Sequence, residues 1–331
     1  MAGTDYLISA LSPAELRLYD SLLERITEGG RRFLFWGATP SLLRVLTALR
    51  ATDLEWTIAA LVDSSDRHSD LLLLGHKVQP PTAVPNLTFD TLIVTDDARK
   101  EAILKQFAAA DERRPRVLLL GHDHYAFHDP MYDQLQASGL VKSRAGGYEL
   151  MQVHLYQALR YIVRRGLIGD VAEFGVYKGG TTTFIARTLS ALNHPATVWA
   201  FDTFAGFPPA RSVLDMYDAA ADEFSDYDSV RRLTGGYPNI ALVVGDIVET
   251  AAQLEGRPLV LSFFDTDNYT ATRTALAVAY EQTVPGGVLA FDHYYSPDWP
   301  GTIGERMAAA ELLADANVFN LQGTGIFLKW A

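Results

Sequence analysis

Short apolar runs recur along the chain, each closing near a glycine or an aspartate, and between them lie longer stretches with apolar residues three and four apart. The runs read as buried strands and the stretches as amphipathic helices. Ser12-Pro13-Ala14-Glu15 opens the first helix: Ser12 caps it, Pro13 suits the first helical position, and Glu15 completes a capping box, with the helix running to Gly29-Gly30. Strands follow at 33–36, 56–62, 89–94 and 116–120, with helices at 41–51 and 99–109 between them. Residues 129–168 read as a helical connector in which Leu155, Ala158, Leu159 and Ile162 share a face. Further strands are expected at 171–174, 198–201, 240–244, 259–264 and 288–291, and a glycine-turned antiparallel pair at 318–321 and 326–330. Strands alternating with helices imply parallel sheets and an α/β fold. The expected organisation is a Rossmann-like domain over 1–128, the connector over 129–168, and a second domain over 169–331.

Composition narrows the function. A chain of 331 residues suits two domains, and a hydrophobic fraction of 48% supports full cores. A net charge of −12 argues against a nucleic-acid groove. The chain has no cysteine, which excludes disulfides and cysteine-based metal or nucleophile chemistry. No apolar run is long enough to span a bilayer, and MAGTDYLISALSPAEL carries no basic stretch, so neither a membrane span nor a signal peptide is expected and a cytoplasmic location fits.

The stretch GDVAEFGVYKGGTTTFIAR, residues 169–187, combines a strand, a glycine turn and a helix whose Phe184, Ile185, Leu189 and Leu192 lie roughly on one face. A helix N-terminus after such a turn favours a carboxylate or phosphate. The spacing is Glu173-x-Gly175-x-x-x-Gly179-Gly180, not the G-x-G-x-x-G of a dinucleotide fold, and it is similar to that of class I S-adenosylmethionine-dependent methyltransferases. Asp202 ends the next strand, where a carboxylate can take both ribose hydroxyls, and Asp246 could meet the adenine amino group with Ile247 stacked on the ring. Residues 210–228, acidic and mixed, read as a lid over the pocket.

The first half fits a dinucleotide poorly. Asp63 stands where a ribose-binding acid would, but FWGATPSLLR has one glycine, with Pro40 and Ser41 in place of the others. Trp36-Gly37-Ala38, Leu61-Val62-Asp63-Ser64 and Gly75-His76-Lys77-Val78-Gln79-Pro80-Pro81 resemble the small Rossmann-like domains attached to sugar-modifying enzymes. That likeness implies a structural, pairing or acceptor-docking role. His122, His124 and His128 could form a metal site but lack a carboxylate partner set, so solvated loop histidines are the reading preferred.

In the second half, four segments in order resemble the macrocin O-methyltransferase family, which methylates sugar hydroxyls: 169–180, Asp202-Thr203-Phe204-Ala205-Gly206-Phe207-Pro208, Asp265-Thr266-Asp267-Asn268-Tyr269, and Pro285-Gly286-Gly287 leading to Asp292-His293-Tyr294. The resemblance covers about 150–331. It implies a class I methyltransferase domain, a seven-stranded sheet closed by an antiparallel hairpin. It places S-adenosylmethionine against Glu173, Gly175, Tyr177, Thr181, Asp202, Thr203, Phe204, Gly245, Asp246, Ile247 and Asp265. It makes Asp265 and Asp292 ligands of a divalent cation and Asp267 the general base. His293 replaces the family's second aspartate, so the cation would be Mg²⁺ or Mn²⁺ and His293 either its ligand or the base. The implied partner is a small-molecule or glycan acceptor with a free hydroxyl, with neither nucleic acid nor membrane, and a homo-oligomer is open. Two other classes remain: a glycosyltransferase using Asp265-x-Asp267 for a metal and sugar nucleotide, and a nucleotide-binding protein without catalysis. Tyr269, Tyr294, Tyr295 and Trp299 could form a sugar platform or belong to the core.

Overall fold

The computed structural model describes residues 2–65, 68, 71–121, 127–142, 145–146, 150–217, 227–296 and 298–330, with side chains from residue 5 onward. The chain divides into two compact units, Met1–Phe127 and His128–Ala331.

The first unit runs α1 (Ala2–Ser9), α2 (Pro13–Glu28), β1 (Arg32–Trp36), α3 (Pro40–Arg50), β2 (Thr57–Val62), β3 (Leu72–Leu73), β4 (His76–Gln79), β5 (Thr91–Val94), α4 (Lys100–Ala110) and β6 (Arg116–Leu119). The capping box forms: the Ser12 hydroxyl accepts from Glu15 N at 3.3 Å, and the Glu15 carboxylate accepts from Ser12 N at 2.8 Å. The sheet order is β3-β4-β2-β1-β5-β6, parallel except for β3. Its central strand reads as a continuous apolar run because both faces are covered: Phe33 and Phe35 pack into one core, Leu34 and Trp36 into the other. The β3–β4 hairpin is absent from the sequence reading, since strands of two and four residues leave too little period to detect. Asp63 accepts from Ala38 N at 2.6 Å and Ser65 N at 2.7 Å, so its carboxylate ties down the turn after β1. Pro40 and Ser41 open α3 under a Thr39 cap rather than replacing ligand-binding glycines. His122 and His124 lie outside the described residues.

The second unit begins with α5 (Pro130–Ala137), capped by Asp129, and α6 (Met151–Arg165), which packs on the sheet with Leu155, Leu159 and Ile162 buried. It continues with β7 (Asp170–Phe174), α7 (Gly180–Ala191), β8 (Val198–Asp202), α8 (Tyr227–Thr234), β9 (Ile240–Val244), α9 (Ile247–Thr250), β10 (Leu259–Phe264), α10 (Tyr269–Gln282), β11 (Thr283–Phe291), α11 (Ile303–Leu313), β12 (Val318–Asn320) and β13 (Ile326–Lys329). Seven strands lie in the order β12-β13-β11-β10-β7-β8-β9, and β13 runs antiparallel to both its neighbours. This is the class I methyltransferase sheet with its C-terminal hairpin. The fifth strand starts at Thr283, earlier than expected; Pro285-Gly286-Gly287 lies within it, where the pairing with β10 shifts register.

Four phenylalanines level the ends of the central strands. Phe201, Phe174, Phe264 and Phe291 sit in register across β8, β7, β10 and β11, their rings stacked at 4.6–5.1 Å between centroids. The next residues are Asp202, Gly175, Asp265 and Asp292. Burial of one aromatic row thus brings three acids and a glycine to one edge of the sheet, at the switch point where α/β folds bind ligands.

Candidate active site

A cavity of about 300 Å³ opens at this edge. Its wall includes Gly175, Tyr177, Asp202, Thr203, Phe204, Asp246, Ile247, Asp265, Asp267, Asp292 and His293. Most of the expected site residues therefore converge. Glu173, Thr181 and Gly245 do not reach the wall: Glu173 is fully buried, the Thr181 hydroxyl accepts from Ala145 N, and a Cβ at Gly245 would meet Thr250 Cγ2 at 2.9 Å.

On the β7–β8 side the turns are held by Asp202. Its Oδ2 accepts from Val176 N at 2.8 Å and Tyr177 N at 3.0 Å, and its Oδ1 accepts from Phe204 N at 2.7 Å. Asp202 therefore organises both loops before any ligand arrives. Gly175 has a reason apart from ligand approach: at φ 92 its Cβ would meet the Asp265 carbonyl oxygen at 2.0 Å. Tyr177, Phe204 and Asp267 take positive φ values of 50, 52 and 61, and all three line the cavity. Bulky residues in that region store backbone strain, held by surrounding bonds, as at preorganised sites. Asp246 caps α9 through Val248 N and meets Arg211 at 3.0 Å.

Glu173 supports a cationic ligand. Burial pushes its carboxyl up to about 8, against a pull down from the Thr182 hydroxyl and with Asp202 adding to the rise, and neither carboxylate oxygen makes a well-formed hydrogen bond. An unpaired buried carboxylate is costly unless a positive group approaches. The α-ammonium and sulfonium of S-adenosylmethionine are such groups, and Asp202 and Asp246 also line the cavity. The residues present fit that cofactor.

On the β10–β11 side, His293 Nε2 lies 3.0 Å from Asp267 Oδ1, 3.6 Å from Asp265 Oδ1 and 3.6 Å from Asp292 Oδ2. Asp265, Asp267 and His293 present ligand atoms within 4.8 Å of one another. Asp292 sits beside them, 1% exposed, its Oδ2 accepting from Gly146 N at 3.1 Å. Burial opposes the charge on His293, but Asp267, Glu305 and Asp292 outweigh it and raise its pKa to about 9. Burial and then Asp292 hold the Asp265 carboxyl well above its ordinary range. Clustered carboxylates with one imidazole suit a hard divalent cation such as Mg²⁺ or Mn²⁺. One expectation changes: Asp267 is not in an extended segment sharing a face with Asp265. It turns into the left-handed region, and its carboxylate meets the cluster from there.

The first part of the lid, 210–217, is bolted down. Asp215 accepts from Thr270 N at 2.8 Å and its hydroxyl at 2.7 Å, and Asn268 exchanges two bonds with the Tyr217 backbone. Of the proposed platform aromatics, Trp299 lines the cavity, joined by Phe207 and Tyr217. Tyr294 packs in the core on Phe327, and the Tyr269 hydroxyl donates to Glu311. Sequence reasoning missed Gly146, Tyr217 and Glu305. Glu305 carried no local signal: TIGERMAAAEL has acids at 305 and 311, and nothing in the sequence marks the first as buried.

Residues 142–327, more than half of the chain, match the family model of macrocin-O-methyltransferase (TylF). The mycinamicin III 3''-O-methyltransferase of Micromonospora griseorubida is 30% identical over 158 residues, covering 44% of this chain; the match spans 62% of that relative's length. Two solved structures are similar at low identity. The calicheamicin methyltransferase CalS11 matches at 21% identity and a TM-score of 0.46, over 64% of this chain and 98% of its own. The O-methyltransferase NovP matches at 20% and 0.44, over 54% and 79%. Among the described residues, no helix is long and apolar enough to cross a membrane.

Proposed function

The chain belongs to the macrocin-O-methyltransferase family, and from that premise we propose that it transfers a methyl group from S-adenosylmethionine to a sugar hydroxyl of a small molecule or glycan. The observation that carries the reading is the convergence of Asp265, Asp267, Asp292 and His293 on one wall of a cavity whose other wall is Asp202. Methyl transfer from a sulfonium is an in-line displacement, so the protein mainly positions two reactants. Asp202, Tyr177 and Phe204 shape the cofactor side, Asp246 and Ile247 the adenine end, and Glu173 supplies negative charge behind the turn. Asp265, Asp292 and His293 would hold a divalent cation, which supplies acidification of a bound hydroxyl when present. Asp267 Oδ1 takes the hydroxyl proton. Trp299, Phe207 and Tyr217 offer the acceptor apolar faces. The first unit has an accessory role: the Asp63 carboxylate is spent on its own turn.

The test is methyl transfer from labelled S-adenosylmethionine to a panel of glycosides bearing vicinal hydroxyls. Transfer should disappear with EDTA and return with Mg²⁺ or Mn²⁺. Undiminished transfer in EDTA removes the cation from the mechanism, and sugar transfer from a nucleotide-sugar in place of methylation overturns the reading.

A further inference from the structure

Glu305 lies in the first turn of α11 and is fully buried, yet it does not line the cavity. Its carboxylate collects three backbone N–H groups from two different loops. Oε1 accepts from His293 N at 2.8 Å, in the segment after β11. Oε2 accepts from Thr266 N at 3.2 Å and Asp267 N at 3.3 Å, in the segment after β10. We propose that Glu305 is the positioning residue of the site, clamping the loop that carries Asp267 to the loop that carries His293 so that base and imidazole meet at one place. The inference rests on the methyltransfer reading for its consequence, not for its geometry.

Three features support the assignment. With both oxygens occupied by N–H donors, Glu305 has no role as ligand or base; it acts through the two residues whose backbones it holds. Asp267 takes φ 61, in the left-handed region, and the Glu305 bond to its N–H is one of the contacts that holds it there. The neighbouring residue permits the reach. A Cβ at position 304 would meet Leu214 O at 2.4 Å and Tyr269 N at 2.8 Å, so Gly304 lets α11 press against the loop that Glu305 grips.

The chemistry of the side chain sets the test. Glutamine preserves volume, but its amide nitrogen faces an N–H donor on one side, so it holds one loop and releases the other. In the full wild-type chain, amide hydrogen exchange read by NMR should show Thr266, Asp267 and His293 protected; exchange at the rate of free loop amides overturns the clamp without any variant. In Glu305→Gln, exchange at one loop's amides should quicken about tenfold or more. S-adenosylhomocysteine affinity by calorimetry should stay within about threefold. For a glycoside that the wild type methylates, kcat should fall roughly 10- to 100-fold with KM within about threefold, since misplacing a group costs the chemical step. Glu305→Asp, one methylene short of spanning both loops, should fail to rescue. Wild-type kcat in Glu305→Gln, or loss of cofactor affinity and KM together with kcat, overturns the proposal. If the wild type binds no S-adenosylhomocysteine, the methyltransfer reading fails, while the amide measurement still decides the clamp.

Discussion

Glu173→Gln should abolish a proton release that accompanies cofactor binding. In the ligand-free protein the Glu173 carboxyl sits at about 8, so at pH 7 about nine in ten molecules carry a proton there. A cofactor ammonium brought into the cavity in front of that buried carboxyl favours the carboxylate. If the carboxyl returns toward its ordinary 4.5, binding expels about 0.9 proton at pH 7 and about 0.1 at pH 9. The same linkage tightens binding roughly 50-fold between pH 6 and pH 8. The assay is calorimetry with S-adenosylhomocysteine in buffers of different ionisation enthalpy, which reads the protons directly. The wild type minus Glu173→Gln difference isolates this group, because the cofactor's own ionisation and the remaining acids are common to both. Glutamine conserves volume and, like the protonated carboxyl, is neutral, so the variant should fold. Equal proton release and equal pH slopes in the two proteins would show that Glu173 does not face the cofactor's positive end.

Three further outcomes follow from the same geometry. The first unit should not bind NADH, because FWGATPSLLR has a single glycine and Asp63 is already bonded to Ala38 and Ser65; saturable NADH fluorescence at micromolar cofactor would contradict this. The ligand-free fold should lose stability as pH rises from about 6 to 9. Glu173 and Glu305, raised to about 8, and His293, raised to about 9, keep protons that the unfolded chain gives up earlier, so stability present at low pH fades as each folded-state value is passed. A Tm that is flat or climbing over that range refutes it, and Glu173→Gln should flatten the fall. Asp267→Asn should keep S-adenosylhomocysteine affinity but lose kcat by roughly 10²–10⁴; an active Asp267→Asn beside a dead His293→Ala would assign the base to His293 instead.

The strand ends were legible in the sequence because the same small signal repeats. Phe174-Gly175, Phe201-Asp202, Phe264-Asp265 and Phe291-Asp292 each pair a buried ring with a residue at the sheet edge, and the strand ends, though not the strand order, follow from such anchors. What joins the edge residues was not legible. Asp202 reads as a ribose ligand by position, yet in the fold it first ties down Val176, Tyr177 and Phe204. The left-handed turn at Asp267 has no local signal, since aspartate tolerates both conformations and a bond from α11 helps to hold the choice. Glu305 lies 38 residues from Asp267 in sequence, and only the closure of the sheet brings them together.

Calorimetry of S-adenosylhomocysteine against the full chain tests the methyltransferase assignment most directly. Saturable binding is predicted, undisturbed by NAD or a nucleotide-sugar panel, and weakened at least tenfold, about 1.4 kcal/mol, in Asp202→Ala, which removes the carboxylate that organises both cofactor loops. Absence of binding, displacement by a nucleotide-sugar, or unchanged affinity in Asp202→Ala would contradict it.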